Sequence, residues 1–595
     1  MNIESILRTE IQEAVQSLFG ANLDQAQLQP TNQEFEGSHT LVCFSLTKIS
    51  KKNPEETGKA IGDYLKEKSS IVSDHNVVKG FLNLSIKDAV WVEVLSTIVT
   101  QPNYGQLPKN GKEIMIEYSS PNTNKPLHLG HLRNNFLGWS VAELYKANGY
   151  KVHKVQIIND RGIHICKSMA AWKLYGNGET PKTAGIKGDH LVGKYYVEFN
   201  TRLTEQVKEL EAKGVAKEEA EKQAPIMKVA IDMLRKWEYR DEETLALWKM
   251  MNGWVYEGFE TTYKKMGVDF DKLYYESNTF LLGKEQVITG LEKGVFFKKE
   301  DGSVWVDLTA DGLDQKVLLR SDGTSVYMTQ DIGTAILRFH DYPNITGQVY
   351  TVGNEQEYHF KVLFLILQKL GYEWAKHCYH LSYGMVDLPT GKMKSREGTV
   401  VDADDLIDEM ISEAKRQTPE LGKTDEMSEA AANKLFEMIG LGALKFFLLK
   451  VDPKKKMLFD PNESIQLQGF TGPFIQYTHA RIKAILRKAE SMQVVISHDT
   501  FKGIEALAST EREVIRVISA FEGKLKEAVK DFSPAVIANY TYEVAKAYNQ
   551  FYQSVPIFTE ADAGKLAFRI ALSKSVANVL KRSMGLLGID VPERM

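Results

Sequence analysis

The chain has 595 residues, more than one hydrophobic core usually supports, so two to four domains are expected. Hydrophobic residues make up 43% and charged residues 26%, and the net charge is −4, so any nucleic-acid surface has to be a local patch. The three cysteines are isolated, and neither a signal peptide nor an apolar run of about 20 residues is visible, which excludes a disulfide framework, a structural zinc site and a membrane span. A cytoplasmic protein is expected.

The first 108 residues are predicted to form an α+β domain. Helical patterns alternate there with two strand-like runs, H-T-L-V-C-F-S-L (39–46) and G-F-L-N-L-S-I (80–86). The segment Q-P-N-Y-G-Q-L-P-K-N-G-K (101–112) is dense in Gly, Pro and Asn and reads as a linker.

Residues 109–460 are predicted to form a domain built on a parallel sheet. A strand at 114–118, a helix at 129–148 and a strand at 152–158 make a βαβ unit. Residues 170–265 are charged and helical, which indicates an insertion. Two D-G turns, at 301–302 and 322–323, each predict a hairpin. Strands return at 348–352 and 378–383, and the pattern is helical from about 405, with a helical domain over 461–595.

The first candidate site is a histidine turn in I-M-I-E-Y-S-S-P-N-T-N-K-P-L-H-L-G-H-L-R (114–133). His128 and His131 share one face of a first helical turn, around Gly130, where backbone N–H groups and the helix dipole favour anions. This indicates a nucleoside triphosphate site. The alternative, two capping or surface histidines, is as common for a bare H-x-G-H, but the strand–loop–helix context favours the nucleotide.

The second candidate is the loop G-K-M-K-S-R-E-G-T-V-V (391–401), where Lys392, Lys394 and Arg396 alternate. Three cations in a glycine-bounded loop could close over a polyphosphate. The alternative is a solvated basic turn.

Together these motifs resemble the two signatures of class I aminoacyl-tRNA synthetases. The finer resemblance is to the arginyl-tRNA synthetase family, through S-S-P-N-T-N-K-P-L-H-L-G-H-L-R, W-E-Y-R-D-E-E-T-L-A-L-W, G-T-S-V-Y-M-T-Q-D-I-G, G-F-T-G-P-F-I-Q-Y-T-H-A-R-I and L-L-G-I-D-V-P-E-R-M. It implies an α/β protein: a Rossmann-type parallel-sheet catalytic domain, an α+β N-terminal domain that contacts tRNA, and an all-α C-terminal anticodon-binding bundle.

The resemblance also implies an ATP site. Its residues would be Pro121, Asn122, Lys125, His128, Leu129, Gly130, His131, Lys392, Met393, Lys394, Ser395 and Arg396. The second lysine of the usual loop signature falls on Ser395, so Lys125, just upstream of the histidines, is expected to replace it. Lys125, His128, His131 and Lys394 are the expected catalytic residues, with Mg²⁺ accompanying ATP and no other metal.

An arginine pocket is implied as well, since a guanidinium needs carboxylates. Asp331 and Tyr327 stand at i+4 and i on one helical face and would grip the guanidinium together with Gln356. Glu117 would hold the α-ammonium, with Asn122 and Ser119 beside it. Without the resemblance, a core aromatic and a surface acid are the commoner readings of Tyr327 and Asp331.

Contacts to tRNA are expected in the helical end, at Tyr477, Arg481 and Met595. Cationic residues follow one face of 472–488, from His479 and Arg481 to Lys488, although a packed bundle with solvated charges gives the same pattern.

The implied function is ATP-dependent attachment of L-arginine to its tRNA through an arginyl-adenylate, by a monomer. The alternatives are a class I synthetase for another amino acid and a non-catalytic tRNA-binding paralogue.

Overall fold

The computed structural model describes residues 3–32, 34–387, 401–417 and 427–595. At its centre lies a parallel sheet of five strands in the order β12–β11–β5–β6–β7. The elements of this central region are β5 (Glu113–Glu117), α5 (Leu129–Ala147), β6 (Lys151–Ile158), α6 (Ile163–Tyr175), α7 (Pro181–Ala184), α8 (Gly188–Ala212), α9 (Lys217–Gln223), α10 (Pro225–Glu238), α11 (Glu242–Met266), β7 (Lys272–Tyr275), α12 (Glu276–Thr279), α13 (Lys284–Glu292), β8 (Phe296–Lys298), β9 (Val304–Val306), β10 (Lys316–Leu319), α14 (Tyr327–Asp341), β11 (Ile345–Gly353), α15 (Glu357–Lys369), β12 (Cys378–Tyr383) and β13 (Val386–Asp387). Because helices cover both faces, the interior of the middle strand β5 is apolar, with Ile114, Met115 and Ile116 all buried between its two terminal glutamates.

The chain order of this sheet places a crevice at its carboxyl edge. From β5 the chain runs through α5 to β6 on one side, whereas β11 pairs with β5 on the other side. The carboxyl ends of β5 and β11 therefore flank a topological switch point, where open α/β sheets bind ligands. The histidine turn follows β5 at this edge, and a short 3₁₀ helix, Asn354–Gln356, follows β11.

The N-terminal region packs an antiparallel sheet, β1–β2–β4–β3, against helices. Its elements are α1 (Ile3–Phe19), β1 (Leu28–Pro30), β2 (His39–Val42), α2 (Thr47–Ser50), α3 (Pro54–Lys68), β3 (Val72–Val78), β4 (Phe81–Ile86) and α4 (Asp88–Thr100). Helix α4 leans on the C-terminal helices: the carboxylate of Asp88 accepts hydrogen bonds from Arg512 Nε (2.6 Å) and Nη2 (3.2 Å). Helix α4, which leads from the N-terminal region to the central sheet, is thus held by the C-terminal helices.

The C-terminal region is helical. Its elements are α16 (Ala403–Gln417), α17 (Glu429–Leu449), β14 (Met457–Leu458), α18 (Pro461–Ser464), α19 (Gly472–Ser491), α20 (Ser509–Ser519), α21 (Phe521–Lys530), α22 (Pro534–Ser554) and α23 (Ala563–Leu586). Buried Lys445 of α17 donates to the carbonyl of Gly588 (2.6 Å), and burial lowers the pKa of its ammonium to about 8. The chain end thereby joins α17, which also packs on α5.

The α/β fold class is confirmed, and three local expectations are corrected. The strand expected at 39–46 ends at Val42, which pairs with the first residue of β4. After one further hydrogen bond, from Cys43 N to the Gly80 carbonyl (3.1 Å), the residues Phe44–Leu46 have no strand opposite them among the described residues and form a 3₁₀ helix. The first D-G turn joins β8 to β9 as expected. The second closes a short turn with a single antiparallel bridge between Leu319 and Ser325, but instead of a second strand the chain enters α14, whose apolar residues Met328, Ile332 and Ala335 recur with a helical period. The helical end also contains the two-residue strand β14, which pairs with β13.

Within the described parts of the chain, no helix has both the length and the apolar composition that a membrane crossing requires.

Candidate active site

The histidine turn caps the N-terminus of α5 with its own two side chains. His128 is the N-cap residue, and its Nδ1 accepts the backbone N–H of Gly130 (3.1 Å). His131 Nδ1 accepts the backbone N–H of His128 (3.1 Å), which completes a capping box made of imidazoles. Because each Nδ1 is an acceptor, each neutral ring carries its proton on Nε2. The turn therefore offers two Nε2–H donors, and capping and ligand binding do not exclude each other.

Both imidazoles are neutral at physiological pH. Burial lowers the pKa of His128 to about 4, with the charge of Lys125 adding to the shift. Burial also lowers the pKa of His131 well below its usual value, helped by His128 and Lys125. Lys125, itself half-buried with a pKa lowered by burial, is thus the cation of this turn, and the histidines are hydrogen-bond donors.

The glycine at position 130 has a local structural reason. A Cβ at this position would lie 3.0 Å from His128 Cε1, tighter than ordinary contact. The missing side chain lets the ring of His128 fold back over the turn to reach the Gly130 N–H. A side chain at this position would therefore press on the ring that forms the cap.

The loop between β5 and the histidine turn is held in a strained conformation. Ser119 is fully buried at φ +62°, in the left-handed region. Its N–H donates to Asn134 Oδ1 (2.7 Å), and its hydroxyl lies 2.7 Å from the hydroxyl of Tyr263. Ser119, expected at the arginine site, is therefore engaged inside the protein and shapes the loop.

Next to this loop lie buried polar atoms that have no hydrogen-bond partner among the described residues: Thr123 Oγ1, Asn124 Oδ1 and Asn135 Oδ1. Buried polar groups are normally paired with protein, water or ligand. Asn122 is exposed at the same place, whereas Pro121 and Leu129 are buried. The surroundings of the turn therefore have unused hydrogen-bonding capacity.

At the end of β5, Glu117 is buried and its carboxylate is in direct contact with the guanidinium of Arg338, from α14. Burial raises the pKa of Glu117, and Arg338 opposes that shift. Burial acts against the charge of Arg338, but Glu117 together with Tyr350 and Tyr274 outweighs it, and the pKa of the guanidinium is raised. Arg338 was not anticipated from the sequence.

Asp331 lies on α14 as expected, but its described partner comes from α15. His359 Nε2 lies 2.6 Å from Asp331 Oδ2. Tyr327, one turn before Asp331, is 75% exposed, and Gln356 is exposed in the 3₁₀ helix before α15. Tyr327 and Gln356 thus expose their side chains near Asp331 in the chain order and at the end of β11, respectively.

Glu276 is a third carboxylate at this end of the crevice, after Glu117 and Asp331, and sequence reasoning missed it. It follows β7 at the carboxyl edge of the sheet. Burial raises its pKa to about 7; Arg161 opposes the shift, and the charges of Asp160 and Asp331 add to it. The available signal was an acid directly after the strand-like run L-Y-Y (273–275), as Glu117 stands directly after I-M-I.

The floor of the pocket has further unpaired polar atoms. Arg338 Nε and Nη2, the hydroxyl of Tyr350 and Asn354 Oδ1 are buried and have no hydrogen-bond partner among the described residues. Tyr350 is close enough to Arg338, Glu117 and Asp331 for their charges to shift its pKa, which burial raises. The crevice thus combines carboxylates with unsatisfied donors and acceptors.

The cationic loop residues Lys392, Met393, Lys394, Ser395 and Arg396 lie outside the described residues.

In the helical end, Tyr477 and Arg481 form one cluster with Tyr552. The guanidinium carbon of Arg481 lies 4.8 Å from the ring centre of Tyr477 and 5.4 Å from that of Tyr552, and Arg481 Nη1 donates to Asn549 (2.7 Å). Met595 is buried, and His479 is buried with Nδ1 2.9 Å from the Pro592 carbonyl oxygen. His479 therefore does not belong to the cationic face.

Three family models match the chain in succession. Residues 5–86 match the arginyl tRNA synthetase N terminal domain, residues 93–460 the catalytic domain of class I tRNA synthetases (R), and residues 475–595 the DALR anticodon binding domain. The parallel sheet with its histidine turn at the switch point is accordingly the catalytic architecture of a class I aminoacyl-tRNA synthetase.

Comparison with individual similar proteins identifies the family within this class. The chain is 57% identical to an arginine–tRNA ligase of Bacteroides thetaiotaomicron and 55% identical to one of Amoebophilus asiaticus, each over 100% of both chains. The chain belongs to the arginyl-tRNA synthetase family. The fold is also that of Thermus thermophilus arginyl-tRNA synthetase (TM-score 0.79, 24% identity, 100% of both chains) and of the Plasmodium falciparum enzyme (TM-score 0.76, 18% identity, 100% of this chain and 99% of that one).

Proposed function

We propose that this protein attaches L-arginine to its tRNA with consumption of ATP, through an arginyl-adenylate formed in the crevice between β5 and β11. The observation that carries the proposal is the juxtaposition at one sheet edge of a neutral histidine turn and a pocket containing Asp331 and Glu276. One end suits phosphate, the other a guanidinium.

At the phosphate end, the expected roles follow from the charge state of the turn. The Nε2–H groups of His128 and His131 would donate to ATP phosphate oxygens at the positive end of α5, and Lys125 would supply charge as the α-phosphorus is attacked. Neutral donors fit this task, because they bind phosphate without the cost of burying further charge. Lys394 is proposed as the second cation. Its neighbours are also proposed to contact ATP: Lys392, Met393, Ser395 and Arg396. The backbone wall of the ATP site would be formed by Pro121, Asn122, Leu129 and Gly130.

Mg²⁺ is proposed to enter with ATP. The turn offers imidazole, amide and ammonium groups, and the nearby carboxylates of Asp402 and Asp404 are paired with His190 and Lys187. A hard cation would therefore take oxygens of phosphate and water, where it would draw charge from the phosphates.

At the arginine end, we assign the guanidinium to Asp331 and Glu276, with Tyr327 and Gln356 at the rim. A guanidinium has five donors in a planar fork, so two carboxylates from α14 and from the end of β7 can each accept part of it. Lysine would leave acceptors unpaired, which disfavours it. Glu117 remains the proposed contact of the α-ammonium, with Ser119 and Asn122 beside it; its pairing with Arg338 holds the carboxylate at the pocket floor.

The division into domains 1–108, 109–460 and 461–595 is retained as a proposal, and so are a cytoplasmic location and a monomer. For tRNA, we propose Tyr477 and Arg481 as contacts. A half-buried tyrosine under a guanidinium is a platform on which a splayed base can stack. Met595 would act by fixing the chain end on the bundle.

The test is charging of unfractionated tRNA with each of the twenty labelled amino acids and ATP. Charging with arginine alone is expected. Charging with another amino acid would refute the pocket assignment, and tRNA binding without any charging would indicate a non-catalytic paralogue.

A further inference from the structure

The start of the insertion helix α8, residues 187–193 (K-G-D-H-L-V-G), lies against the proposed ATP site. We call this segment the bracket. It belongs to the helical insertion, for which the sequence suggested no role. Gly193 lies against the histidine turn, and the charged side chains of the bracket pair with Asp402 and Asp404, which adjoin the turn.

On one flank, the bracket fits against the backbone that carries Lys125. A Cβ on Gly193 would lie 2.8 Å from Pro126 Cδ and 3.6 Å from the Cα of Lys125. Any larger residue would push that turn or the helix aside. On its opposite side the bracket is fixed to α11, because a Cβ on Gly188 would lie 2.2 Å from the carbonyl oxygen of Trp254.

On the other flank, the bracket holds the beginning of α16 by charge. His190 Nε2 lies 3.1 Å from Asp402 Oδ2 and 3.6 Å from Asp404 Oδ2. Lys187 contacts Asp404 and lies 3.2 Å from the fully buried Asp189. Hydrogen bonding to Asp402 and Asp404 raises the pKa of His190 to about 10, so the imidazole is protonated at neutral pH.

The start of α16, which the bracket holds, is joined through its backbone to the histidine turn. The backbone of Asp402 forms an antiparallel bridge with His128, flanked by hydrogen bonds from Leu129 N to Val401 O (3.2 Å) and from Ala403 N to Leu127 O (3.0 Å). A shift of Asp402 therefore moves the first residue of the cap. The carboxylates of Asp402 and Asp404 also lie beside the proposed phosphate site. Without their cationic partners they would repel the phosphates.

We propose that the bracket is a positioning element for ATP: His190 and Lys187 neutralise Asp402 and Asp404 and hold them against His128, while Gly193 sets the place of Lys125. One ligand atom from each of His190, Asp402 and Asp404 lies within 4.8 Å of the others, a spacing that could also suit a metal ion. The ammonium of Lys187, however, already contacts Asp404 as its cation. Because the inference rests on the proposed ATP site, its test must also read nucleotide binding directly.

The decisive variant is His190→Gln, which removes the charge and keeps a polar side chain. We expect the Kd of ATP and the KM for ATP in tRNA charging to rise about tenfold, because the carboxylates then face the phosphates. The KM for arginine should change by less than about twofold, since the bracket lies at the phosphate end only.

Two further variants separate charge from structure. His190→Gln combined with Asp402→Asn removes the unneutralised carboxylate, and the KM for ATP should return to within about threefold of wild type. Lys194→Gln, one turn further along α8 in an exposed pair with Glu179, is the matched control and should leave both KM values unchanged. Active-site titration corrects every rate for the fraction of folded enzyme.

An independent variant, Gly193→Ala, tests the other flank. It should lower kcat about tenfold through displacement of Lys125, with the KM for arginine preserved. If His190→Gln leaves the Kd of ATP unchanged, or if the double variant is no better than the single one, the inference is wrong. If wild type binds ATP but does not charge tRNA with arginine, the proposed function fails instead.

Discussion

The two ends of the candidate site are built in different ways. The phosphate end is one continuous turn, from Lys125 to His131, whose donors are fixed by hydrogen bonds within three residues. The arginine end draws Glu117, Glu276, Asp331 and His359 from four separate segments of the chain. A local site keeps its geometry through its own backbone, whereas a dispersed site depends on the packing that brings its segments together.

The largest expected effect is at the phosphate end. Lys125→Ala should lower kcat/KM for ATP about 10³-fold, because no other described cation stands at the turn to meet charge developing on phosphate. Steady-state charging with active-site titration measures it. Lys125→Arg should recover part of the loss. The control variant Lys194→Gln should have the kcat/KM of wild type. A loss below tenfold would contradict the assigned role.

At the arginine end, the stability of the fold should depend on the buried pair of Glu117 and Arg338. Arg338→Met leaves Glu117 buried without its partner and should lower the free energy of unfolding by about 3–5 kcal/mol at pH 7, measured by urea denaturation. Adding Glu117→Gln removes the orphaned charge, so the double variant should regain at least half of the loss. Additive effects of the two substitutions would show that the pair is not coupled.

Specificity should depend on Asp331. Asp331→Asn is expected to raise the KM for arginine about 10²-fold while the KM for ATP changes less than threefold, because a charge-assisted pair with the guanidinium is lost. Glu292→Gln, an exposed carboxylate on α13, serves as control. Equal changes in both KM values would mean that the two ends are not separate.

Arginine binding should depend on pH through Glu276. With its pKa raised to about 7, the carboxyl group is protonated below that pH and cannot pair with a guanidinium, so the Kd of arginine should fall about tenfold between pH 6 and pH 8. Calorimetric titration of Glu276→Gln should give a flatter profile. A raised carboxyl pKa means that the folded state binds the proton more tightly, so this group lowers stability as pH rises from about 4.5 through 7. The variant should therefore be no less stable than wild type at pH 8, and an unchanged Kd profile would contradict the assignment.

The smallest expected effect concerns His190. Its folded pKa of about 10 lies above the unfolded value of 6.5, so its contribution to stability is full below pH 6.5 and is lost as pH rises to about 10. Relative to His190→Gln, wild type should gain about 1 kcal/mol near pH 6, measured by urea denaturation across this pH range. A gap that stays constant up to pH 10 would contradict an ionic contribution.

Sequence reasoning could predict the phosphate end because the chemistry proposed for it is local. A strand end, a glycine and two histidines three residues apart are contiguous, and the βαβ order places them at the sheet edge. Even there, the sequence did not reveal that each histidine spends its Nδ1 on the helix cap and keeps only Nε2 for a ligand.

The sequence by itself determined the α/β order, the histidine turn and the presence of carboxylates suited to a guanidinium. Only the tertiary structure paired Glu117 with Arg338, brought Glu276 beside Asp331 and set the bracket against Lys125 and Asp402. These residues are 55 to 221 positions apart in the chain, and neither hydrophobic period nor local propensity carries information over such separations. They exist because parallel strands end at a common edge and because glycine lets a helix approach a neighbouring backbone.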